Sequence, residues 1–233
     1  MTIYLYSGTP GSGKSLHQAR DIWYRGRTGK PVIVNFDVNL SGLRYPDCVH
    51  VVYNDELTPS YLETFSRDYF STHKFSEGAI KLYIDEAQLL FNAREWNSKG
   101  RKEWLRFFTQ HRKFGFDVIL VAQFDRMLDK QIRSLIEYEY IHRKITNIGI
   151  WGWLFCAVTF GGRFLCVKMW YPQHERVGRD FVRPLRRYTA LYDTYALFDS
   201  SDSATCSDAG VLPASEHVAV SKPAQAGAVV PAS

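Results

Sequence analysis

A glycine-rich segment near the amino terminus constrains this chain more than any other feature. It matches the pattern G-x-x-x-x-G-K-[ST] at every fixed position, as Gly8, Thr9, Pro10, Gly11, Ser12, Gly13, Lys14 and Ser15. An apolar run at residues 3–6 precedes the segment, and a helix-compatible stretch at residues 15–25 follows it. Glycines let the backbone curl so that successive N–H groups point at phosphate oxygens, next to the positive end of the helix. The pattern therefore predicts a phosphate-binding loop (P-loop) between a strand and a helix.

The two residues that close the motif indicate which ligands the loop takes. The ammonium group of Lys14 is expected to reach the β- and γ-phosphates, and the hydroxyl of Ser15 is expected to bind Mg²⁺. The chain is therefore predicted to bind ATP, or a close relative of ATP, together with Mg²⁺.

A second segment supplies what hydrolysis needs in addition to a phosphate loop. Residues 81–84 form an apolar run that ends in the adjacent carboxylates Asp85 and Glu86. Asp85 is predicted to contact Mg²⁺ directly or through water, and Glu86 to polarise the attacking water as a general base. Taken alone, the pattern is also typical of a solvated acidic turn. Because a complete phosphate loop lies upstream, the catalytic interpretation is favoured.

A third apolar run, residues 117–122, ends at Gln123. If this strand lies between the other two, Gln123 would sit beside the γ-phosphate and would sense it or position water; the alternative is an amide that closes a strand end. An arginine from the same or a neighbouring subunit commonly neutralises transition-state charge in such enzymes. Among the arginines between Glu86 and the exit of the third strand, Arg112 and Arg133 are the preferred candidates.

Strand-like and helix-like runs alternate along the chain, which is typical of parallel sheets joined by crossover helices. The strands are predicted at residues 3–6, 32–35, 50–53, 81–84 and 118–121, and the helices at residues 15–25, 59–73, 102–113 and 129–136. Further strands at residues 137–145, 153–160 and 164–171, with a turn at Gly161-Gly162, predict an antiparallel extension near 137–171. The predicted fold is an α/β P-loop NTPase with a mostly parallel sheet and helices on both faces.

Composition divides the chain into two parts. Residues 1–198 are predicted to form one ATPase domain with 28 basic and 20 acidic side chains, a balance compatible with nucleic acid, an anionic membrane or an ordinary basic enzyme. Residues 199–233 are too poor in large apolar side chains to offset ordering entropy, so a disordered tail or linker is predicted. The four cysteines show no metal-binding spacing, no signal peptide is evident, and the apolar run after residue 148 is too short to span a membrane.

A basic and aromatic stretch covers residues 163–187. Three interpretations stay open at this point: stacking on single-stranded DNA or RNA, contact with an anionic lipid surface, and a solvated edge of the domain.

The chain resembles the zonula occludens toxin (Zot) family, which shares its ATPase domain with the gene I assembly proteins of filamentous phages. The resemblance extends from about residue 3 to residue 198. Four segments carry it: YLYSGTPGSGKS, LYIDEAQLLF, HRKFGFDVILVAQ and DKQIRSLIEYEY. The order of the phosphate loop, the acidic strand end and the Gln-ended strand also resembles the FtsK and HerA group of ring-forming motors.

The family resemblance implies a cytoplasmic ATPase that works as a homo-oligomeric ring at the bacterial inner membrane. It implies phage assembly or coat proteins as partners, in the assembly and export of filamentous virions. Family members usually continue into a transmembrane helix, and nothing after residue 198 has that character here. Two alternatives remain, a DNA-translocating ATPase and a nucleotide-switched scaffold with little turnover.

Overall fold

The computed structural model of the protein describes residues 1–92, 100–145 and 164–192. All of them lie within one compact unit, Met1–Thr194. The predicted strand at residues 153–160, the turn at Gly161-Gly162 and the tail at residues 199–233 lie outside the described residues. The hairpin and the tail therefore stay predictions.

The described residues contain eight strands and five α-helices. The strands are β1 (Ile3–Ser7), β2 (Val32–Val34), β3 (Val49–Val51), β4 (Ile80–Ile84), β5 (Phe116–Val121), β6 (Tyr138–Lys144), β7 (Phe164–Trp170) and β8 (Glu175–Val182). The helices are α1 (Lys14–Thr28), α2 (Pro59–Thr72), α3 (Arg101–Gln110), α4 (Lys130–Arg133) and α5 (Arg186–Thr189).

All eight strands form one sheet in the order β3-β2-β4-β5-β1-β6-β7-β8. The pairings from β3 to β6 are parallel, and those of β6 with β7 and of β7 with β8 are antiparallel. The predicted α/β fold, mostly parallel with an antiparallel extension, is therefore confirmed.

Two details of the extension differ from the sequence-based expectation. Strand β6 belongs to the parallel part of the sheet, because it pairs in parallel with β1, with Tyr6 opposite Tyr140. The chain crosses back over the sheet between β5 and β6, and this crossover gives β6 the same direction as β1. Strand β8 was not predicted, because an edge strand that is mostly exposed carries charged residues rather than an apolar run.

Helices cover both faces of the sheet, as predicted. On one face, Ile3 and Leu5 pack with α2 and α3 in a core that includes Phe107. On the other face, Tyr6 and Tyr83 pack with the inner side of α1. Strand residues alternate between these two cores, which is why β1 is buried on both sides.

Local sequence explains where the main helices begin and end. Helix α1 lies between Gly13 and Gly29, which both adopt left-handed backbone angles. Thr58 caps the start of helix α2: its side chain accepts a hydrogen bond from the Tyr61 N–H group, and Pro59 is the first residue of the helix. In the described part of the chain, no helix combines the length and the apolar character that a membrane crossing requires.

Candidate nucleotide-binding site

The topology brings the three predicted strand ends together. Strand β5 lies between β1 and β4 and is parallel to both, so the carboxyl ends of all three strands meet at one edge of the sheet. The N–H group of Gly8 donates a hydrogen bond to the carbonyl of Gln123 at 3.2 Å. Gln123 therefore borders the phosphate loop, at the end of a strand that lies between the other two motif strands, as predicted.

Close packing and backbone angles explain the glycines of the loop. Gly8, Gly11 and Gly13 have φ values of 140°, 71° and 98°. A Cβ atom at Gly8 would come within 2.6 Å of the His142 carbonyl oxygen, and one at Gly13 within 2.6 Å of the Phe164 ring. Only glycine fits these two positions, so the motif reflects steric necessity as well as ligand binding.

The side chains of the loop form a cradle suited to an anion. The Lys14 ammonium donates to the carbonyls of Gly8 at 2.6 Å and Thr9 at 3.2 Å. Burial lowers the pKa of Lys14, while the nearby Asp85 and Glu86 carboxylates raise it. The buried Ser12 hydroxyl has no hydrogen-bond partner within the described residues. A cation, an unpaired hydroxyl and a tight glycine turn at a helix start fit a bound phosphate chain.

Two hydrogen bonds with the side-chain amide of Asn35 fix the backbone of Asp85. Its N–H group donates to the Asn35 amide oxygen at 2.6 Å, and the Asn35 amide N–H donates to the Asp85 carbonyl at 3.0 Å. Burial raises the pKa of the Asp85 carboxyl, whereas the N–H group of Glu86, the charge of Lys14 and the Tyr192 hydroxyl lower it. A half-buried carboxylate of this kind offers the oxygen atoms that magnesium prefers as ligands, so Asp85 stays the predicted magnesium ligand.

The neighbouring carboxylate of Glu86 is exposed and has an unusual backbone. Its φ of 46° is left-handed, which is rare for a residue with a side chain. The amide group of Gln88 donates a hydrogen bond to the Glu86 carboxylate. This geometry turns Glu86 away from the buried strand and towards solvent, where a water molecule can reach it.

The two preferred arginines form ion pairs in different parts of the domain. Arg112 forms an ion pair with Glu137 at 2.5 Å. Glu137 immediately precedes β6, so this pair lies at the edge of the sheet opposite the phosphate loop. Arg133 lies 4.0 Å from Asp125. Asp125 lines a cleft beside Gly8 and Gln123, so Arg133 lies near the loop of its own chain, whereas no described contact joins Arg112 to that loop. A catalytic role for either arginine, in its own or a neighbouring subunit, stays a prediction.

A cleft of about 570 Å³ opens beside Gly8, Thr9 and Gln123. Arg143 and Lys144, at the carboxyl end of β6, also line it. The arginines predicted from the sequence all precede β6, and no spacing pattern marks Arg143. Parallel pairing of β6 with β1 places Arg143 beside the loop.

A buried hydrogen-bonded chain that the sequence analysis missed supports the start of the loop. The guanidinium of Arg20 lies 2.9 Å from His17 Nε2, His17 Nδ1 lies 2.9 Å from His142 Nε2, and His142 Nδ1 lies 3.2 Å from the Ser7 carbonyl. Since a guanidinium can only donate, His17 must accept at Nε2 and donate from Nδ1, and His142 must then donate to Ser7. Both imidazoles are therefore neutral. Burial lowers the pKa of His17 well below its usual value and that of His142 to about 4.

Cys166 lies next to this pair, with its Sγ atom 3.7 Å from His17 Nδ1. The three possible ligand atoms of Cys166, His17 and His142 lie within 4.8 Å of one another. A metal bound to Nδ1 of His17 would leave a proton on Nε2, facing the N–H group of Arg20. The hydrogen-bond polarity thus favours a metal-free pair.

Some side chains of the basic stretch at residues 163–187 make contacts within the domain. The Lys168 ammonium lies 4.1 Å from the centre of the Tyr138 ring, and the Arg187 guanidinium lies 4.6 Å from that of Trp23. Asp180 in the same stretch pairs with Arg20 at 2.6 Å. The other described basic residues of the stretch are exposed, so both binding interpretations and the solvated edge remain available for them.

A strand, a glycine-rich loop and a helix, with an acidic strand end and a polar strand end alongside, define the class of P-loop NTPase folds. The family model for zonular occludens toxin (Zot) matches residues 2–160. The chain therefore belongs to the Zot family.

Individual relatives and solved structures agree with this assignment. The chain is 31% identical over 216 residues to the Gene 1 protein of Enterobacteria phage I2-2, and 29% identical over 216 residues to that of Salmonella phage IKe. Each match covers 86% of this chain and 58% of the relative.

The N-terminal domain of zonular occludens toxin from Neisseria meningitidis superposes with a TM-score of 0.50 at 18% identity, over 82% of this chain and 98% of that one. The ATPase domain of a second, more distant protein gives a TM-score of 0.52 at 9% identity, over 82% of this chain and 84% of that one. These likenesses concern the fold.

Proposed function

We propose that this chain binds and hydrolyses ATP with Mg²⁺ and drives the assembly and export of filamentous phage at the cytoplasmic face of the bacterial inner membrane. The observation that carries the proposal is the position of Lys14. It lies in the phosphate loop, yet both Asp85 and Glu86 are close enough to raise its pKa. This proximity of the loop to the acidic strand end supports a ligand that both of them contact, as a nucleotide hydrolase requires.

Each residue of the site has a role in this proposal. The N–H groups of residues 8–15 and the Lys14 ammonium would hold the β- and γ-phosphates, and Ser15 and Asp85 would hold Mg²⁺. The metal ion would neutralise charge that develops on the phosphate oxygens. Glu86 would accept the proton of the attacking water, and Gln123 would orient that water or sense the γ-phosphate.

The role in phage assembly is supported by the relatives, which are Gene 1 proteins of phages. Since this chain spans 58% of their length, the activity and partners of the whole protein are part of the proposal. A homo-oligomeric ring is part of the proposal. Arg112 pairs with Glu137 at the opposite edge of the sheet, so Arg112 would have to act on the nucleotide of a neighbouring subunit. Arg133 pairs with Asp125, which lines the cleft beside Gln123, so Arg133 would act either in its own chain or across an interface.

Two substitutions with matched controls test the chemistry. Lys14→Ala should abolish ATP binding, whereas Glu86→Gln should keep ATP affinity and reduce turnover by at least about 100-fold. The exposed residues Lys30 and Glu56 provide the controls Lys30→Ala and Glu56→Gln, which should behave as wild type. Turnover by Glu86→Gln at the wild-type rate would remove the general base from the proposal.

Two further measurements separate the proposed motor from its alternatives. ATPase activity per subunit should rise with protein concentration, and mixing Arg112→Ala or Arg133→Ala subunits with Lys14→Ala subunits should restore activity only for an arginine that acts across the interface. Stimulation by single-stranded DNA of several fold would favour a DNA translocase. Tight ATP binding with negligible turnover at all concentrations would favour a nucleotide-switched scaffold.

A further inference from the structure

Both acidic and basic side chains line the cleft beside the phosphate loop, and the acidic ones already have partners. The Asp125 carboxylate accepts a hydrogen bond from the Tyr171 hydroxyl at 2.9 Å and lies 4.0 Å from Arg133. The Glu139 carboxylate accepts a hydrogen bond from the Ser7 hydroxyl at 2.5 Å. The negative charges of the cleft are therefore engaged within the domain.

The two cations of the cleft, Arg143 and Lys144, lie at the carboxyl end of β6 and are exposed. In the part of the chain that the structure describes, neither side chain forms a hydrogen bond or an ion pair. The charge that remains available in the cleft is thus positive. A concave surface with free cations attracts an anion.

The pairing of β6 with β1 fixes the position of Arg143 relative to the loop. The two strands are parallel, and a Cβ atom at Gly8 would come within 2.6 Å of the His142 carbonyl oxygen. Arg143 follows His142, as Thr9 follows Gly8, so the next residues of the two strands also lie side by side. Arg143 and Thr9 accordingly line the same cleft.

The buried neighbour of Arg143 determines the direction of its side chain. His142 Nε2 lies 2.9 Å from His17 Nδ1, so the imidazole of His142 faces α1. Successive side chains of a strand point to opposite faces of the sheet. Arg143 consequently points away from α1, as do Glu139 and Ile141, which also line the cleft. Because β6 lies between β1 and β7, the guanidinium extends into the cleft from a strand that is paired on both sides.

We infer that Arg143 binds the γ-phosphate of the nucleotide that its own chain holds. The inference rests on the proposed nucleotide site, which places the γ-phosphate beside Gln123, and Gln123 lines the same cleft. A guanidinium presents a planar fork of N–H donors that matches the oxygen atoms of a phosphate group.

The same contact acts in hydrolysis. The oxygen of water forms a bond to the γ-phosphorus, and its proton passes to Glu86. The bond between the γ-phosphorus and the bridging oxygen breaks, and the electron pair leaves with ADP. Arg143 neutralises negative charge on the γ-phosphoryl oxygens while these bonds change.

This role separates Arg143 from the two arginines predicted from the sequence. Arg112 and Arg133 each pair with a carboxylate, and a phosphate contact would compete with that pair. Arg143 has no such pair to break within the described residues. A contact made only to the γ-phosphate should strengthen the binding of a nucleoside triphosphate and leave that of a diphosphate unchanged.

Arg143→Ala tests the contact through binding alone. The probes are ADP and the β,γ-methylene analogue of ATP, which is not hydrolysed, each titrated by calorimetry with Mg²⁺. Arg143→Ala should bind the analogue about tenfold more weakly than wild type, the equivalent of one charge-assisted hydrogen bond, and should bind ADP equally well. Arg126→Ala is the matched control, because Arg126 is exposed and follows Asp125 but is not among the residues that line the cleft. It should change neither affinity.

Subunit mixing shows whose nucleotide Arg143 contacts. Alone, Arg143→Ala should hydrolyse ATP at least about 100-fold more slowly than wild type. Addition of Lys14→Ala subunits, which retain Arg143 but should bind no nucleotide, should restore no activity. Restored activity would show that Arg143 acts across an interface and would overturn the inference.

Binding also distinguishes an error about Arg143 from an error about the site. Wild-type affinity of Arg143→Ala for the analogue would overturn the role of Arg143 alone, and so would equal losses of affinity for ADP and the analogue. Failure of the wild type to bind either nucleotide would overturn the proposed nucleotide site, and the role of Arg143 with it.

Discussion

Acidification from pH 7 to pH 5 should destabilise this domain through its buried histidine pair. His142 is 2% exposed, and burial lowers its pKa from 6.5 to about 4. In the unfolded chain the same imidazole takes up a proton near pH 6.5. The stabilisation from the neutral form is therefore complete above pH 6.5 and is lost as the pH falls towards 4.

The magnitude follows from the two pKa values. One pKa unit corresponds to about 1.4 kcal/mol, so between pH 7 and pH 5 His142 alone should remove about 2 kcal/mol from the free energy of unfolding. His17 acts in the same direction, because burial also lowers its pKa. Asp85 and Glu139 act in the opposite direction, since burial raises the pKa of both carboxyl groups.

A comparison of variants isolates the contribution of His142. In His142→Gln, the amide can still accept from His17 and donate to the Ser7 carbonyl, but it cannot titrate. Urea unfolding at pH 7, 6 and 5 should show that wild type loses about 2 kcal/mol more than His142→Gln over this range. The exposed residue His73 gives the control His73→Gln, which should follow wild type. Parallel loss of stability in wild type and His142→Gln would refute the neutral hydrogen-bonded pair.

Three further substitutions test other parts of the site and its support. Gly13→Ala should weaken ADP binding at least about tenfold in calorimetry, because a Cβ atom would collide with Phe164; Gly29→Ala, where the nearest atoms lie at 3.7 Å, should keep ADP affinity. Arg25→Lys should lower the free energy of unfolding in urea by about 3 kcal/mol, since the buried guanidinium donates to three backbone carbonyls that an ammonium cannot reach together. Asn35→Ala should weaken ADP binding more with Mg²⁺ than in chelator, because it frees the backbone of the predicted magnesium ligand; equal losses in both conditions would contradict that role.

The parts of the site that depend on local sequence were predictable. The loop is defined by eight consecutive residues, and its glycines are required by the close packing that any strand-loop-helix unit of this kind imposes. Asp85 and Gln123 could be located because polar residues at the end of an apolar strand lie at one edge of a parallel sheet. The strands that carry them, β4 and β5, lie within two residues of their predicted limits at either end.

The remaining features depend on contacts between distant parts of the chain. Nothing in residues 137–145 distinguishes parallel from antiparallel pairing, since both use the same alternation of side chains. The contacts of His17 with His142 and of Leu191 with Asn39 join residues that no motif spacing connects. An arginine such as Arg143 becomes a neighbour of the loop only once β6 lies beside β1.

The central position of β1 also bears on how the domain is made. The strand that leads into the phosphate loop is synthesised before the other seven described strands, yet its two neighbours begin at Phe116 and Tyr138. Until those segments are synthesised, both long edges of this apolar strand lack their partners. Such late, non-local pairing slows folding and leaves nascent chains prone to aggregation. Production of the protein should consequently benefit from slow synthesis at low temperature, and fragments that stop before residue 145 should accumulate in the insoluble fraction.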